Sequence, residues 1–246
     1  MKRIILIVYI FICIIAFGKE ELILGTLEYP PYIEQTNNNF KGLAVDIINE
    51  SFNRMGIKVK YVMLPIARSL KMLEDGEIDG FFSIKKTPER EGTLIFPNEF
   101  LFSQDYVFFV KKYSKIYFDG NYDSIKNATI GIVNSVSYGA RFDKALKNGE
   151  FKKTDLSNNF ESTFKKLLNG RVDIVICSKL VGLAILKNLD ALEEIQITGL
   201  PSETTVSYIA FTKKTNYSEL SKKFDNTIKK MKEDGTLKKI LKKYEK

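Results

Sequence analysis

The sequence predicts an α/β protein built from two similar lobes that face each other across a cleft, and three observations carry that prediction. Apolar runs of strand length alternate with stretches of helical periodicity, the pattern of parallel-sheet α/β units. The alternation occurs twice, in halves whose landmarks follow the same order. After the second half come one strand pattern and two helix patterns, too few for a third core, so they are expected to return to the first lobe. A chain that leaves a lobe and returns to it crosses between lobes twice, and two crossings make a hinge. The expected lobes are residues 19–107 with 208–246, and residues 108–207.

Residues 1–18 come first. Lys2 and Arg3 precede an unbroken apolar run, Ile4 to Phe17, and Ala16 and Gly18 place small residues at its exit. Those 14 residues fall short of the ~20 that span a bilayer as a helix, so the segment reads as a secretory signal cleaved near Gly18, with a membrane anchor as the alternative. No later stretch is long and apolar enough to cross a membrane. Cleavage leaves 36 basic against 30 acidic residues and takes the net charge from +8 to +6. The lysines are dispersed, and those from Lys222 to Lys246 alternate with apolar residues at helical spacing. They form a solvated helix face rather than a nucleic-acid patch, and no nucleic-acid partner is expected.

In the first half a strand pattern, Leu22 to Leu27, runs into the loop Glu28-Tyr29-Pro30-Pro31-Tyr32. Helical spacing follows in Leu43, Ile47, Ile48 and Phe52, and again in Ile66, Leu70 and Leu73. Gly76 ends that helix and a strand through Phe81-Phe82 to Ser83 begins at once. The second half repeats the order: Ala128 to Val133 into Asn134-Ser135-Val136-Ser137-Tyr138, a helix through Phe160, Phe164, Leu167 and Leu168, Gly170, then a buried strand through Ile174 to Ile176 ending at Ser178. The connections between lobes are placed near Val107–Lys111 and Tyr208–Thr212. The returning elements are a strand, Val206 to Phe211, and two helices through Leu220, Phe224, Ile228 and Met231 and through Leu237, Ile240, Leu241 and Tyr244. Ligands of open α/β sheets bind beyond the carboxyl ends of the strands. Those ends carry Tyr29 to Tyr32, Ser83 to Arg90, Ser135 to Tyr138, and Ser178-Lys179, and all four loops can face one cleft.

Composition removes whole classes of chemistry. There is no His and no Trp, which excludes Ser-His-Asp and Cys-His catalysis, HExxH zinc sites and His-ligated iron. Of two Cys, Cys13 lies in the signal segment, so Cys177 is a lone thiol in an apolar run and reads as a small buried hydrophobe. No metal site, cofactor or catalytic residue is expected.

Several short motifs recur in a fixed order: Tyr29-Pro30-Pro31-Tyr32, Gly42-Leu43-Ala44-Val45-Asp46-Ile47, Gly76-Glu77-Ile78-Asp79 leading to Thr87-Pro88-Glu89-Arg90, Gly170-Arg171-Val172-Asp173, and Asp234-Gly235-Thr236-Leu237 with Lys243-Tyr244. Through them the chain resembles, over essentially everything after the signal segment, the bacterial extracellular solute-binding proteins of family 3, the polar amino-acid receptors of ABC importers. The resemblance implies the type II periplasmic-binding-protein fold, two lobes joined by two hinge strands. It further implies that Arg90 makes a bidentate salt bridge to a ligand carboxylate, a planar match that Lys does not reproduce. Ser83 and Thr87 would add hydrogen bonds beside it. Ser137 and backbone N–H groups at a helix start would meet the same carboxylate from the second lobe. Tyr29 and Tyr32 match aromatic positions that sandwich the ligand, with core packing as the other reading of Tyr32.

Two departures bear on the ligand. Relatives that take ordinary α-amino acids place an Asp where Ser178 stands, followed here by Lys179; without it an ammonium group loses its charge partner, at a cost of several kcal/mol as an order of magnitude. Second, Leu64-Pro65-Ile66-Ala67-Arg68-Ser69 resembles a branch with an Arg just after a strand. Arg68 either enters the cleft, making it rich in positive charge with Arg90 and Lys179, or lies on a solvated helix face; Asp46 or Glu28 are the candidates for a missing negative charge. The expected function is that of a monomeric periplasmic substrate-binding component of an ABC importer, whose partners are a small carboxylate-bearing solute, an amino acid or related organic acid, and a membrane permease. The alternatives are an exported dehydratase-like enzyme of the same fold, which needs a carboxyl general acid where Ser178 and Lys179 stand, and a soluble receptor for a sensor protein.

Overall fold

The computed structural model describes residues 21–37 and 39–244; the expected signal segment, residues 1–18, lies outside them. The first half runs β1 (Glu21–Thr26), a hairpin of β2 (Glu34–Thr36) and β3 (Asn39–Lys41), α1 (Leu43–Met55), β4 (Lys58–Met63), α2 (Ile66–Asp75), β5 (Gly80–Ile84), α3 (Pro88–Thr93) and β6 (Leu94–Ile95). A long strand, β7 (Phe102–Lys111), leads to a 3-10 turn at Tyr122–Ser124, β8 (Thr129–Val133), α4 (Ala140–Lys147), β9 (Lys153–Ser157), α5 (Phe160–Leu168), β10 (Ile174–Ser178) and α6 (Lys179–Asn188). The 18-residue β11 (Ile195–Thr212), α7 (Ser218–Glu233) and α8 (Thr236–Tyr244) complete the chain.

The duplication expected from the sequence is present in the pairing. In one half β1 lies between β4 and β5, parallel to both, and β5 is followed by the end of antiparallel β11. In the other, β8 lies between β9 and β10, parallel to both, and β10 is followed by antiparallel β7. Each copy is pinned by the Asp of its Gly-x-x-Asp motif. Asp79 donates its N–H to Ile23 O at 2.9 Å and accepts from Ile23 N at 2.7 Å; Asp173 donates to Thr129 O at 2.9 Å and accepts from Thr129 N at 2.8 Å. The helix that ends at the motif's glycine is thereby tied to the start of the first strand of its own lobe. The strands in the middle of the sheet read as continuous buried apolar runs, Phe81-Phe82, Val107 to Val110 and Ile174 to Cys177, as both-face burial requires. Cys177 is fully buried and burial pushes its thiol well up, in keeping with a packing role.

The halves meet in a ribbon. Residues 102–106 of β7 pair with 203–207 of β11, while β10 joins β7 from Tyr106 onward and β5 joins β11 at Tyr208. The ribbon thus precedes both connections expected from the sequence, by about five residues in each strand, because Val107–Val110 and Ile209–Thr212 are already buried in the sheet. The C-terminal helices do return to the first half. Phe224 of α7 packs on Phe52 of α1 with ring centroids 5.8 Å apart, and Arg54 of α1 reaches Asp234 at 2.5 Å. Among the described residues no helix is long and apolar enough to cross a membrane.

Candidate functional site

The carboxyl end of β5 begins the site. Ser83 has φ +66°, a backbone conformation that costs a non-glycine residue free energy, and its hydroxyl is buried without a hydrogen-bond partner. Four residues on, Thr87 caps α3, its Oγ1 accepting from Arg90 N at 3.3 Å, with Pro88 at the first helical position. This cap directs Arg90 back over the strand end. Its Nη1 donates to Lys85 O at 2.9 Å and its Nη2 to Ser135 O at 2.8 Å, so the guanidinium joins the loop after β5 to the loop after β8. Ser135 too has positive φ, +60°.

The ribbon supplies the floor. Alternation along Phe102–Tyr106 turns Phe102, Gln104 and Tyr106 inward. The Tyr29 hydroxyl donates to Gln104 Oε1 at 2.8 Å and lies 2.8 Å from the Tyr106 hydroxyl, which makes Tyr106 the donor between the two phenols; Gln104 Nε2 donates in turn to Ser207 Oγ at 2.9 Å. Burial holds both phenols above their ordinary pKa. Lys85 is buried here as well, with its Nζ donating to Thr205 Oγ1 and lying 4.4 Å from the centroid of the Tyr106 ring. Burial brings Lys85 down to about 7 against the attraction of Asp143 and Glu203, and nearby Arg90 depresses it further. Burial also lowers Arg90, with Asp143 and Glu89 pulling the other way.

The second lobe contributes the start of α4. Ser137 Oγ donates to one oxygen of Asp143, and Tyr138 N donates to the other at 2.9 Å. Glu203, from β11, accepts from Ala140 N at 3.2 Å and Arg141 N at 3.1 Å. Gly139 is what lets Glu203 approach: a Cβ there would lie 2.2 Å from Glu203 Oε2. The helix-start N–H groups expected to receive a ligand carboxylate are therefore already capped by a carboxylate of the chain itself.

These groups enclose a cavity lined by Leu27, Tyr29, Ile66, Ser83, Ile84, Lys85, Arg90, Gln104, Tyr106, Val136, Ser137 and Phe160. Its free space is about 20 Å³, room for roughly one water molecule, and a wider groove of about 670 Å³ lies beside it, sharing Lys85 and Ser137 and lined also by Glu89, Glu91, Asp143 and Glu203. Of the residues expected from the sequence, Arg90, Ser83, Ser137 and Tyr29 line this cavity, and Thr87 caps the helix beside it. Tyr32 does not. It is stacked between Tyr29 at 5.6 Å and Phe102 at 4.3 Å, and burial pushes its phenol up to about 12 despite the neighbouring Ser178 hydroxyl. Ser178 is itself fully buried outside the lining, and Arg68 and Lys179 are exposed on α2 and α6, also outside it. Asp46 is engaged by Lys243 at 2.7 Å and Tyr244 at 2.8 Å, tying α8 to α1. Glu28 lies in a neighbouring groove of about 270 Å³ with Phe160 and Glu161, its carboxyl raised by burial and then by Glu34 and Glu161.

Sequence reasoning missed Lys85, Gln104, Tyr106 and Phe160. The polar–apolar alternation of Ser103-Gln104-Asp105-Tyr106 was a usable signal for the second and third; in Lys85-Lys86 nothing distinguished the buried lysine from its neighbour.

The sequence model of the bacterial extracellular solute-binding proteins, family 3, matches residues 22–246. The arginine-binding extracellular protein ArtP of Bacillus subtilis (strain 168) is 26% identical over 229 residues, covering 92% of this chain and 87% of ArtP. Among solved structures, an ancestral arginine-binding protein bound to arginine superposes with a TM-score of 0.80 at 25% identity, over 93% of this chain and 99% of that one. The substrate binding protein of an amino acid ABC transporter has the same fold, with a TM-score of 0.77 at 22% identity over 92% and 99% of the two chains.

Proposed function

From the premise that this chain belongs to the bacterial extracellular solute-binding proteins of family 3, with their type II periplasmic-binding-protein fold, we propose that it is the substrate-binding component of an ABC importer. It closes residues 19–107 with 208–246 against residues 108–207 on a small carboxylate-bearing solute, an amino acid or related organic acid. The observation that carries this reading is the Arg90 guanidinium, held at a strand end with one N–H on its own lobe and another reaching Ser135 O of the opposite lobe. A fork of two parallel donors suits a carboxylate, and a ligand that replaces the Ser135 carbonyl keeps both lobes engaged. Contacts from both lobes exist together only when the cleft is shut, so a ligand that makes them shifts the hinge toward closure.

The accompanying readings follow from the family. The chain is exported through cleavage of residues 1–18, acts as a monomer in the periplasm and hands its ligand to a membrane permease, without a cofactor. That the relatives are named as binding proteins, and that no Asp or Glu is among the twelve lining residues, supports a receptor over a dehydratase, whose chemistry needs a carboxyl acid in the cleft. A thermal-shift screen of the chain from residue 19, with amino acids and organic acids, tests the proposal. A true ligand at 100 times its Kd is expected to add about 2.7 kcal/mol of stability, and Arg90→Ala is expected to abolish that gain. No stabilisation by any compound of the screen counts against the receptor reading.

A further inference from the structure

Lys85 belongs to none of the motifs read from the sequence, yet its ammonium group is buried inside the cleft. Its two close contacts are neutral, the Thr205 hydroxyl and the face of Tyr106. Arg90, partly buried, likewise donates only to carbonyls, those of Lys85 and Ser135. Asp143 of α4 lies near enough to be felt by both cations, Glu203 of β11 by Lys85, and the surface carboxylates Glu89 and Glu74 by Arg90. The oxygens of the first two are engaged elsewhere, Asp143 by Ser137 Oγ and Tyr138 N, Glu203 by Ala140 N and Arg141 N. Among the described residues neither Lys85 nor Arg90 has an ion-pair partner. Charge removed from water without a counter-charge is strongly disfavoured, so a pair of such cations in one cleft marks a place built for anions. Ser83 adds a donor on the same wall, a buried hydroxyl without a partner.

Resting on the receptor reading above, we propose that Lys85 is a ligand-contacting residue that sets specificity, and that the ligand carries two anionic groups, one on Arg90 and one on Lys85, as in a short dicarboxylate. Leu27, Ile66 and Phe160 give the cavity the apolar wall that a hydrocarbon spacer needs. A zwitterionic amino acid would instead bring its ammonium group to a lining with two cations and no carboxylate. The charged groups facing Lys85 are Arg90 from α3, Asp143 from α4 and Glu203 from β11, with the Tyr106 phenol from β7, which burial keeps protonated. In the ligand-free cleft Lys85 gives up its proton near pH 7. An anion beside it favours the ammonium form, so binding takes up a proton above pH 7 and weakens as pH rises, approaching tenfold per pH unit.

Titration calorimetry of the chain from residue 19 tests this, using succinate, glutarate and adipate against arginine, glutamine and cystine, at pH 6.5 to 9. The proteins are the wild type, Lys85→Met and the charge-keeping Lys85→Arg, each checked for a cooperative melt. The expected result is binding of at least one dicarboxylate that Lys85→Met weakens by 10- to 100-fold and Lys85→Arg largely retains, with a pH dependence that Lys85→Met flattens. Dicarboxylate binding unchanged in Lys85→Met overturns the role of Lys85. Binding of the amino acids in preference to the dicarboxylates overturns the ligand class and leaves the receptor reading standing. No binding of any of the six by the wild type overturns the receptor reading and this inference with it.

Discussion

In the ligand-free protein, Lys85→Met is expected to stabilise the fold, and by an amount that depends on pH. Lys85 is 8% exposed, and burial carries its ammonium from the usual 10.5 to about 7. At 1.36 kcal/mol per pH unit this is roughly 4–5 kcal/mol of lost preference for the charged form, as an upper limit. The unfolded lysine holds its proton up to about pH 10.5 and the folded one only to about 7, so between those values the unfolded chain binds more protons. Wild-type stability therefore rises with pH across that window, and the burden of burying the charge is heaviest at pH 7 and below. Methionine has nearly the same length and no charge. It gives up the Thr205 hydrogen bond, worth about 1 kcal/mol, and the contact with the Tyr106 face, worth about 1 kcal/mol. The net expectation is a variant more stable than wild type by about 2–3 kcal/mol at pH 6.5, which for a chain of this size raises Tm by roughly 4–12 °C. That advantage should shrink by about 1.4 kcal/mol per pH unit between pH 7 and 9. Thermal and urea unfolding of both proteins, followed by circular dichroism at four pH values in that range, measures it. Parallel pH profiles would refute the reasoning, since they would mean that Lys85 stays hydrated in the folded protein.

Two further outcomes are expected. Asp79→Asn should cost about 2–3 kcal/mol in urea unfolding, because the buried carboxylate accepts from Ile23 N at 2.7 Å and from the Tyr217 hydroxyl at 2.6 Å, while Asp173→Asn, the exposed counterpart in the other lobe, should cost less. Ser83→Gly should raise the Tm of the ligand-free protein by relieving φ +66°, a gain of about 1 kcal/mol, yet weaken ligand binding in a fluorescence or calorimetric titration; tighter binding would show that the Ser83 hydroxyl contacts no ligand.

Much of the fold was legible in the chain because its signals are local. The spacing of Leu43, Ile47, Ile48 and Phe52 becomes the buried face of α1, and the repeated Gly-x-x-Asp becomes the same pair of hydrogen bonds in both lobes. Arg90 was legible for a related reason: Thr87 and Pro88, its neighbours in sequence, form the cap that aims it. The ribbon was harder, because half of each of its strands alternates between faces and the other half is buried throughout, so no single period runs the length of β7 or β11. Helix α6 escaped notice where α1 did not, being apolar on most of its surface rather than along one stripe.

By itself, then, the sequence determined the duplicated α/β architecture, the return of the C-terminal helices and the position of Arg90, all written in residues within a few turns of one another. Only the tertiary structure decided which charges enter the cleft. Lys85 and Lys86 are alike in sequence, but Thr205 and Tyr106, some 120 and 20 residues away, close over the first. Arg68 and Lys179, equally basic, remain in water, and Glu203 caps a helix that begins more than 60 residues before it. Burial and electrostatic environment are properties of the space between lobes, set by groups far apart in the chain, and no local pattern of residues encodes them.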